Sequence, residues 1–514
     1  MRGLSSFART WSVPAFCLLL GAPQALAQSY SCATQVTDQV GIRARAVAEL
    51  VAPVVIRCSG TKPAGGIVGA IHVALNVPFA SRTLDPAINA TEALLLIDNP
   101  PPGAQVGRAV DLVVPNANVV QGFYTSGVIV WQTLEIAPAG PAGPFVREFR
   151  LVNVRANVSQ LAAPANVTMT VTLLTNPFVP FTGSQVNVGV VTGSGGVGAR
   201  APDDSSDYTR VIDGCVGNNP IVFADSFRDL NVRFGEGNAN EFRKRNVATS
   251  ANASSAIANQ NDPLVSYGTE TGFFNNSFTP VNSMNQAGLA TNGTRLMARF
   301  TGIPSGVSVY VTTNPVPEGT ISSNIVARLT NTDANGAGQY SPVTASIGAF
   351  AQVPVVNGVA TAVWEVLESN PDSLELVSFG VILSVPVNTP TFGKISLTGG
   401  LAPLVAQGGA FAAPVFSGLP LAREIAEIRT CATLLTVASS CPLNAASIGQ
   451  PYNLLVAASG GTPPYGWTLA GGSLPQGIQL NTNGLISGSP QVTGDFVFVF
   501  KVTDFLGATT TKEC

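Results

Sequence analysis

Alternation constrains this chain more than any other feature. Residues 495–504 read DFVFVFKVTD. Phe496, Phe498, Phe500 and Val502 fall on one side of an extended chain, and Val497, Val499, Lys501 and Thr503 on the other. Period two over this length predicts a strand with one buried face. Similar runs predict strands at 52–59, 69–77, 93–98, 127–136, 147–156 and 167–175. They continue at 221–227, 294–303, 307–313, 323–331, 360–369 and 376–385. The run RARAVAEL (43–50) reads more as strand than as helix. LAREIAEI (421–428) spaces Leu421, Ile425 and Ile428 as a short helix would. Near the C-terminus, Ile478 and Leu480 alternate with polar residues. Asn483-Gly484 then suits a type I′ hairpin turn.

The rest of the composition agrees with sheets and turns. Of 514 residues, 46% are hydrophobic and only 11% charged, against about 25% charged in an average soluble domain. Glycine (52) and proline (37) are plentiful. The expected fold class is all-β, with β-sandwich modules in tandem. The net charge is −3 and there is no basic block. Nucleic acid demands a basic surface to replace its counterions, so it is excluded as a partner.

Residues 1–27 carry the pattern of a secretory signal peptide. Arg2 and Arg9 precede a short apolar core from Val13 to Leu20, and Ala25-Leu26-Ala27 forms a small-x-small cleavage site. No later segment is long and apolar enough for a transmembrane helix. The expected location is therefore secreted, outside the cell or at its surface. Cleavage removes Cys17. Cys32, Cys58, Cys215, Cys431, Cys441 and Cys514 remain, an even number that suggests disulfides in an exported chain. Spacing does not choose the pairing. The expected set is Cys32–Cys58, Cys215–Cys431 and Cys441–Cys514. The last pair brackets a small final domain, and its closure would contribute about 4 kcal/mol.

Three modules follow the signal peptide. The first spans 28–198. The Gly-, Ser- and Asp-rich run at 190–207 reads as flexible, with 199–207 as the linker. The second module spans 208–432, with a polar stretch from Ala248 to Asn261 expected as a loose loop. The third spans 436–514.

In this last module the pieces GQPY (449–452), GGTPPY (460–465), Trp467, LPQGI (474–478), GLISGSP (484–490), Gly494 with DFVFVFKVTD, and Gly507 stand in order. Together they resemble the family named Putative Ig domain, found in exported bacterial proteins, over about 441–514. The resemblance implies an Ig-like, cadherin-related β-sandwich with Trp467 in its core, and a bridge from Cys441 to Cys514. Upstream, ELVAPVVIRCSG, ATEALLLIDNP and VWEVLESNP resemble the matching region of large uncharacterised exported bacterial β-proteins. That resemblance implies no activity.

Candidate chemistry is sparse. The single histidine, His72, alternates with Ala70 and Ala74 on one strand face, and no GxSxG elbow accompanies it. Without a CxxC pair, a structural zinc site is not expected. Glu135 shares a predicted strand face with Trp131, an acid beside an aromatic that could contact a sugar. Glu365 and Glu368 fall on opposite faces of one strand. Asp203, Asp204, Asp207 and Asp213 crowd the junction of the first two modules and are weak calcium candidates; Asp504 lies in the third. No DxDxDG loop appears, and a solvated acidic linker explains the cluster more simply. No other cofactor is expected. The reading that results is an exported non-enzymatic β-protein. It would bind, adhere or display its modules at the cell surface, through an unknown polymer or protein partner. Two alternatives stay open: a secreted carbohydrate-active hydrolase or its accessory protein, and a calcium-binding cadherin-like adhesin.

Overall fold

The structure is a computed structural model. It describes residues 29–514 except 37–38, 194, 204–205, 215–216, 219–227, 247–259, 318–323, 387–391, 406–413, 421, 430–433, 462 and 506. The signal segment, Asp204, Cys215, Cys431, the predicted 221–227 strand and most of the predicted loop at 248–261 lie outside the described residues.

The protein is all-β, and its modules are packed sheets. In the first module one continuous ladder runs through eleven strands. In spatial order these begin Phe181–Thr182, Ser31–Val36, Val54–Lys62, Gly143–Val152 and Ala90–Ile97. They continue through Val119–Thr125, Val128–Ala137, Ile67–Leu75 and Ala165–Asn176 to Gln185–Thr192 and Val40–Arg43. Ile56, Phe149, Trp131, Ile71, Val171 and Ile42, drawn from across that ladder, share one buried cluster. Strands this far apart can meet only if the sheet curls over itself. Cys32 lies opposite Cys58 in the ladder, and the two are joined by a disulfide.

The second module is a two-sheet sandwich. One sheet holds Val197–Arg200, Leu230–Gly235, Leu376–Ser384, Ser308–Thr312 and Phe350–Val353. The other runs Arg210–Asp213, Arg423–Arg429, Gly393–Ala402, Arg295–Thr301, Val359–Glu368 and Val326–Leu329. Between them Trp364 stacks on Phe379 at 4.1 Å, and its Nε1 donates to the Thr312 carbonyl at 2.8 Å.

Three expectations change here. Part of the run at 190–207 expected to be flexible is the Val197–Arg200 strand, paired with Leu230–Gly235. Of its glycines, Gly195 is required by close approach: a Cβ there would lie 1.6 Å from the Gly235 carbonyl. LAREIAEI is not a helix either. Arg423–Arg429 is a strand paired on both sides. An extra residue, Ile425, sits opposite the Ile395–Ser396 step. That bulge places Ile425, Ala426 and Ile428 all in the core, a spacing that imitates a helix. RARAVAEL is only partly strand. Arg43 ends one strand, a turn follows, and Glu49–Leu50 forms another.

The third module closes on Trp467, Phe498, Phe500, Val502 and Ile486. Phe498–Thr503 alternates buried and part-exposed residues as read from the sequence. Cys441 is bonded to Cys514. In the turn of the 478–488 hairpin Gly484 takes positive φ, at 88°, and Asn483 does not, so the turn is not type I′. Asn481 accepts from Gly484 at 2.9 Å. A Cβ at Gly484 would press on Trp467 Nε1 at 2.9 Å, which is why glycine stands there.

Candidate functional site

The sheet separates Trp131 from Glu135. Gln132 and Thr133 together face a single residue of the neighbouring strand, because the register slips between Trp131 and Leu134. Thr133 takes φ 53°, a strained value for a β-branched residue. After this bulge the alternation inverts. Trp131 is wholly buried, and its Nε1 donates to the Val120 carbonyl at 3.1 Å. Glu135 points outward and pairs with Arg147 at 3.3 Å. An acid beside an open aromatic face is therefore not what this strand presents. His72 is half-buried on the face opposite Ile71 and Val73.

The other acids are engaged. Glu365 is buried against Arg295, at 2.9 Å and 3.0 Å, and accepts from the Gly293 N–H. Burial pushes its carboxyl up, although Arg295 and the Gly293 N–H pull the other way. Glu368 pairs with Lys244 at 2.7 Å. Asp207 lies 3.0 Å from both Arg200 and Arg423. Hydrogen bonds from those two guanidiniums hold its carboxyl below the usual range. Asp203 is exposed in the turn after Arg200, and Asp213 is exposed at the end of the Arg210–Asp213 strand. Asp504 closes a turn, accepting from Ala508 at 2.8 Å. Among the described residues no three His, Cys, Asp or Glu side chains come together as metal ligands.

The densest polar construction lies elsewhere, where the first two modules meet. Arg43 is fully buried. Its guanidinium donates to both oxygens of Glu270 at 2.7 Å and 2.9 Å, and to Glu49. It also donates to Thr294 Oγ1 and to the Glu241 carbonyl, each at 3.0 Å. Burial alone would lower the Arg43 pKa, but Glu270 and Glu49 outweigh it and the guanidinium is held up. Burial would raise Glu49, and Arg43 with Arg243 pulls it down. Arg243 reaches Glu49 at 3.3 Å. Beside them, buried Arg155 pairs with Glu92 at 3.2 Å and donates to the Glu270 carbonyl at 2.9 Å. Arg82 joins Glu92 from the rim at 3.1 Å. Residues of both modules thus complete one another's charges.

An apolar seam runs alongside. Leu94, Leu96, Val119 and Val152 of the first module pack on Phe273, Phe278, Met284 and Ala287 of the second. A cavity of about 320 Å³ opens in the same junction, walled by Leu50, Val51 and Asn153 on one side and Asn240, Tyr267 and Phe273 on the other.

The sequence reading missed this junction, and one signal for it was present. Arg43, Arg45 and Glu49 cluster inside an apolar stretch, and EFRKR (241–245) concentrates charge in a chain that is 11% charged overall. Buried charges need partners, and Arg43 finds them in Glu49 of its own module and Glu270 of the second.

Comparison with known proteins now places the last module. Residues 434–513 match the model of the family Putative Ig domain. No curated protein matches the chain. Among solved structures, the full ectodomain (Ig1–Ig3) of mouse nectin-like molecule 4 is similar at 8% identity. That match covers 93% of this chain and 96% of the other, with a TM-score of 0.21. Protocadherin gamma B2 cadherin domains 3–6 match at 10% identity over 94% of this chain and 76% of theirs, with a TM-score of 0.20. The serine-rich repeat adhesion glycoprotein Srr1 of Streptococcus agalactiae matches at 10% identity over 72% and 91%, with a TM-score of 0.16. Superpositions this loose bear on no ligand or partner.

Proposed function

We propose that this chain is an exported, non-enzymatic β-protein that binds a polymer or protein at the cell surface or displays its modules there. One observation carries the reading. The acids that hydrolytic chemistry would need are engaged structurally: Glu365 by Arg295, Glu135 by Arg147, and Glu49 and Glu270 by Arg43. A general acid needs a free carboxyl within reach of substrate. The charges instead brace two sandwiches against each other, a construction suited to holding surfaces in fixed relation. The Ig-like last module and the disulfides support a setting outside the cytoplasm. The test is a binding survey of the full chain against cell-wall polymers, glycan arrays and surface proteins. Saturable binding to one of them is expected. Absence of binding, or turnover of a glycoside or peptide that Glu365→Gln abolishes, overturns the reading.

A further inference from the structure

On the first module two opposite charges line one cavity of about 420 Å³, and neither is neutralised. Arg108 is half-buried. Its guanidinium donates to the Gln132 carbonyl at 2.8 Å and to the Thr133 carbonyl at 3.2 Å. Carbonyls satisfy its N–H groups but do not cancel its charge. Among the described residues no carboxylate pairs with it. Burial lowers its pKa, and no acid acts against that. Asp111 is exposed on the same wall, and no described residue pairs with its carboxylate.

Each charge is mounted separately. Gly107–Arg108 pairs in parallel with Val119–Thr125, and the bulge at Gln132 and Thr133 supplies the two carbonyls that fix the guanidinium. The strained Thr133 backbone is thus part of the mount for Arg108. Asp111 takes φ 70° in a turn closed by the Leu112 N–H on the Ala109 carbonyl at 3.3 Å. Asn282 Nδ2 tethers that turn by donating to the Val110 carbonyl at 3.0 Å. A left-handed φ accounts for Asn or Asp at this position, but Asn would serve without leaving a charge unpaired. The rest of the wall is largely apolar, with Ile88, Val110, Leu112, Val113 and Phe123. Leu112 and Val113 stand 43% and 95% exposed.

This wall narrows the ligand by elimination. A simple anion would meet Asp111, and a simple cation would meet Arg108. A neutral body would leave both charges as they stand. A molecule carrying both signs answers both groups, and an apolar side chain on it would cover Val113 and Phe123. The volume, about 420 Å³, lies within the range of ligand sites, about 300 to about 1,000 Å³. We propose that this cavity binds a free apolar α-amino acid, with its carboxylate on Arg108 and its ammonium on Asp111. The proposal goes beyond the surface-binding reading and does not rest on it.

Isothermal titration calorimetry on the full chain tests it with L-leucine and L-phenylalanine. Their amides lack the carboxylate, and their N-acetyl derivatives lack the ammonium. Asp111→Asn removes the acid, suits the local φ and breaks no described bond. Arg108 stays in place because it also holds the bulge. Saturable binding of at least one of the two amino acids is expected. Affinity should fall at least about tenfold for its amide, for its N-acetyl derivative, and for the amino acid itself in Asp111→Asn. The N-acetyl derivative should bind Asp111→Asn no more weakly than the wild type, because the ammonium that Asp111 would meet is already gone. Silence from both amino acids overturns the site. An amide that binds as well as its parent makes this a cation site, and an N-acetyl derivative that does so makes it an anion site. Either result overturns the proposal, as does binding that Asp111→Asn leaves unchanged.

Discussion

Arg43 shows what a single residue can do in a chain with so little charge. Its guanidinium is out of water, so its stability depends on Glu270 and Glu49 being present. Removing one member of a buried ion pair strands the others, at a cost of about 3–5 kcal/mol. Arg43→Met should therefore destabilise the protein by about that amount in urea unfolding. Adding Glu270→Leu should restore part of the loss, because the stranded carboxylate goes with it. A double variant no better than the single one would mean that the cluster does not act as a unit. Glu236 offers a second residue-scale test. It is half-buried and accepts from the Phe242 and Glu375 N–H groups. Burial outweighs those bonds and pushes its carboxyl up to about 7 from an ordinary 4.5. In that interval the folded chain keeps a proton that the unfolded chain has released. Its contribution is thus fully present below about 4.5 and is lost as pH rises through about 7. In Glu236→Gln the decline in urea midpoint across this window should be smaller than in the wild type.

At the scale of the element, Ala90–Ile97 explains its own sequence. Its ATEALLLI does not alternate, because both faces are covered. Leu95 faces the first module's core, while Leu94 and Leu96 face the Phe273–Ala287 side. Leu94→Ala and Leu95→Ala should each cost about 2–5 kcal/mol in chemical unfolding. A strand covered on one face only would lose almost nothing at one of the two. The same logic says what could be read in advance. Strands with one wet face, such as Phe498–Thr503, were legible from period two. Strands with bulges were not: Ile425 made Arg423–Arg429 look helical, and Thr133 made Trp131 and Glu135 look like neighbours. A bulge depends on the partner strand, which a local window does not contain. The junction cavity was illegible for a related reason. Its walls, Leu50 and Asn153 on one side and Asn240 and Tyr267 on the other, are far apart in sequence and meet only when two modules close around it. The charged residues of 43–49 and 241–245 did carry a hint, since a low-charge chain that gathers charges among apolar residues buries some of them, as it does Arg43, Glu49 and Glu241.

For the whole molecule, the junction implies that the first two modules unfold together, because each leaves the other with unpaired buried charge and an uncovered apolar face. The tryptophans provide one reporter per core: Trp131, Trp364 and Trp467. Chains keeping one of these, with the other tryptophans changed to Phe, separate the signals. The Trp131 and Trp364 chains should share a urea midpoint, and Arg43→Met should lower both together. The Trp467 chain should respond instead to the loss of Cys441–Cys514, which closes a loop with a sequence separation of 73. Removing that bridge by paired Cys→Ser changes should lower its module's stability by about 4 kcal/mol. It should leave the Trp131 midpoint where it was. If Arg43→Met moved Trp131 alone, the two sandwiches would be independent beads, and the cavity between them could not hold the fixed shape that ligand recognition requires.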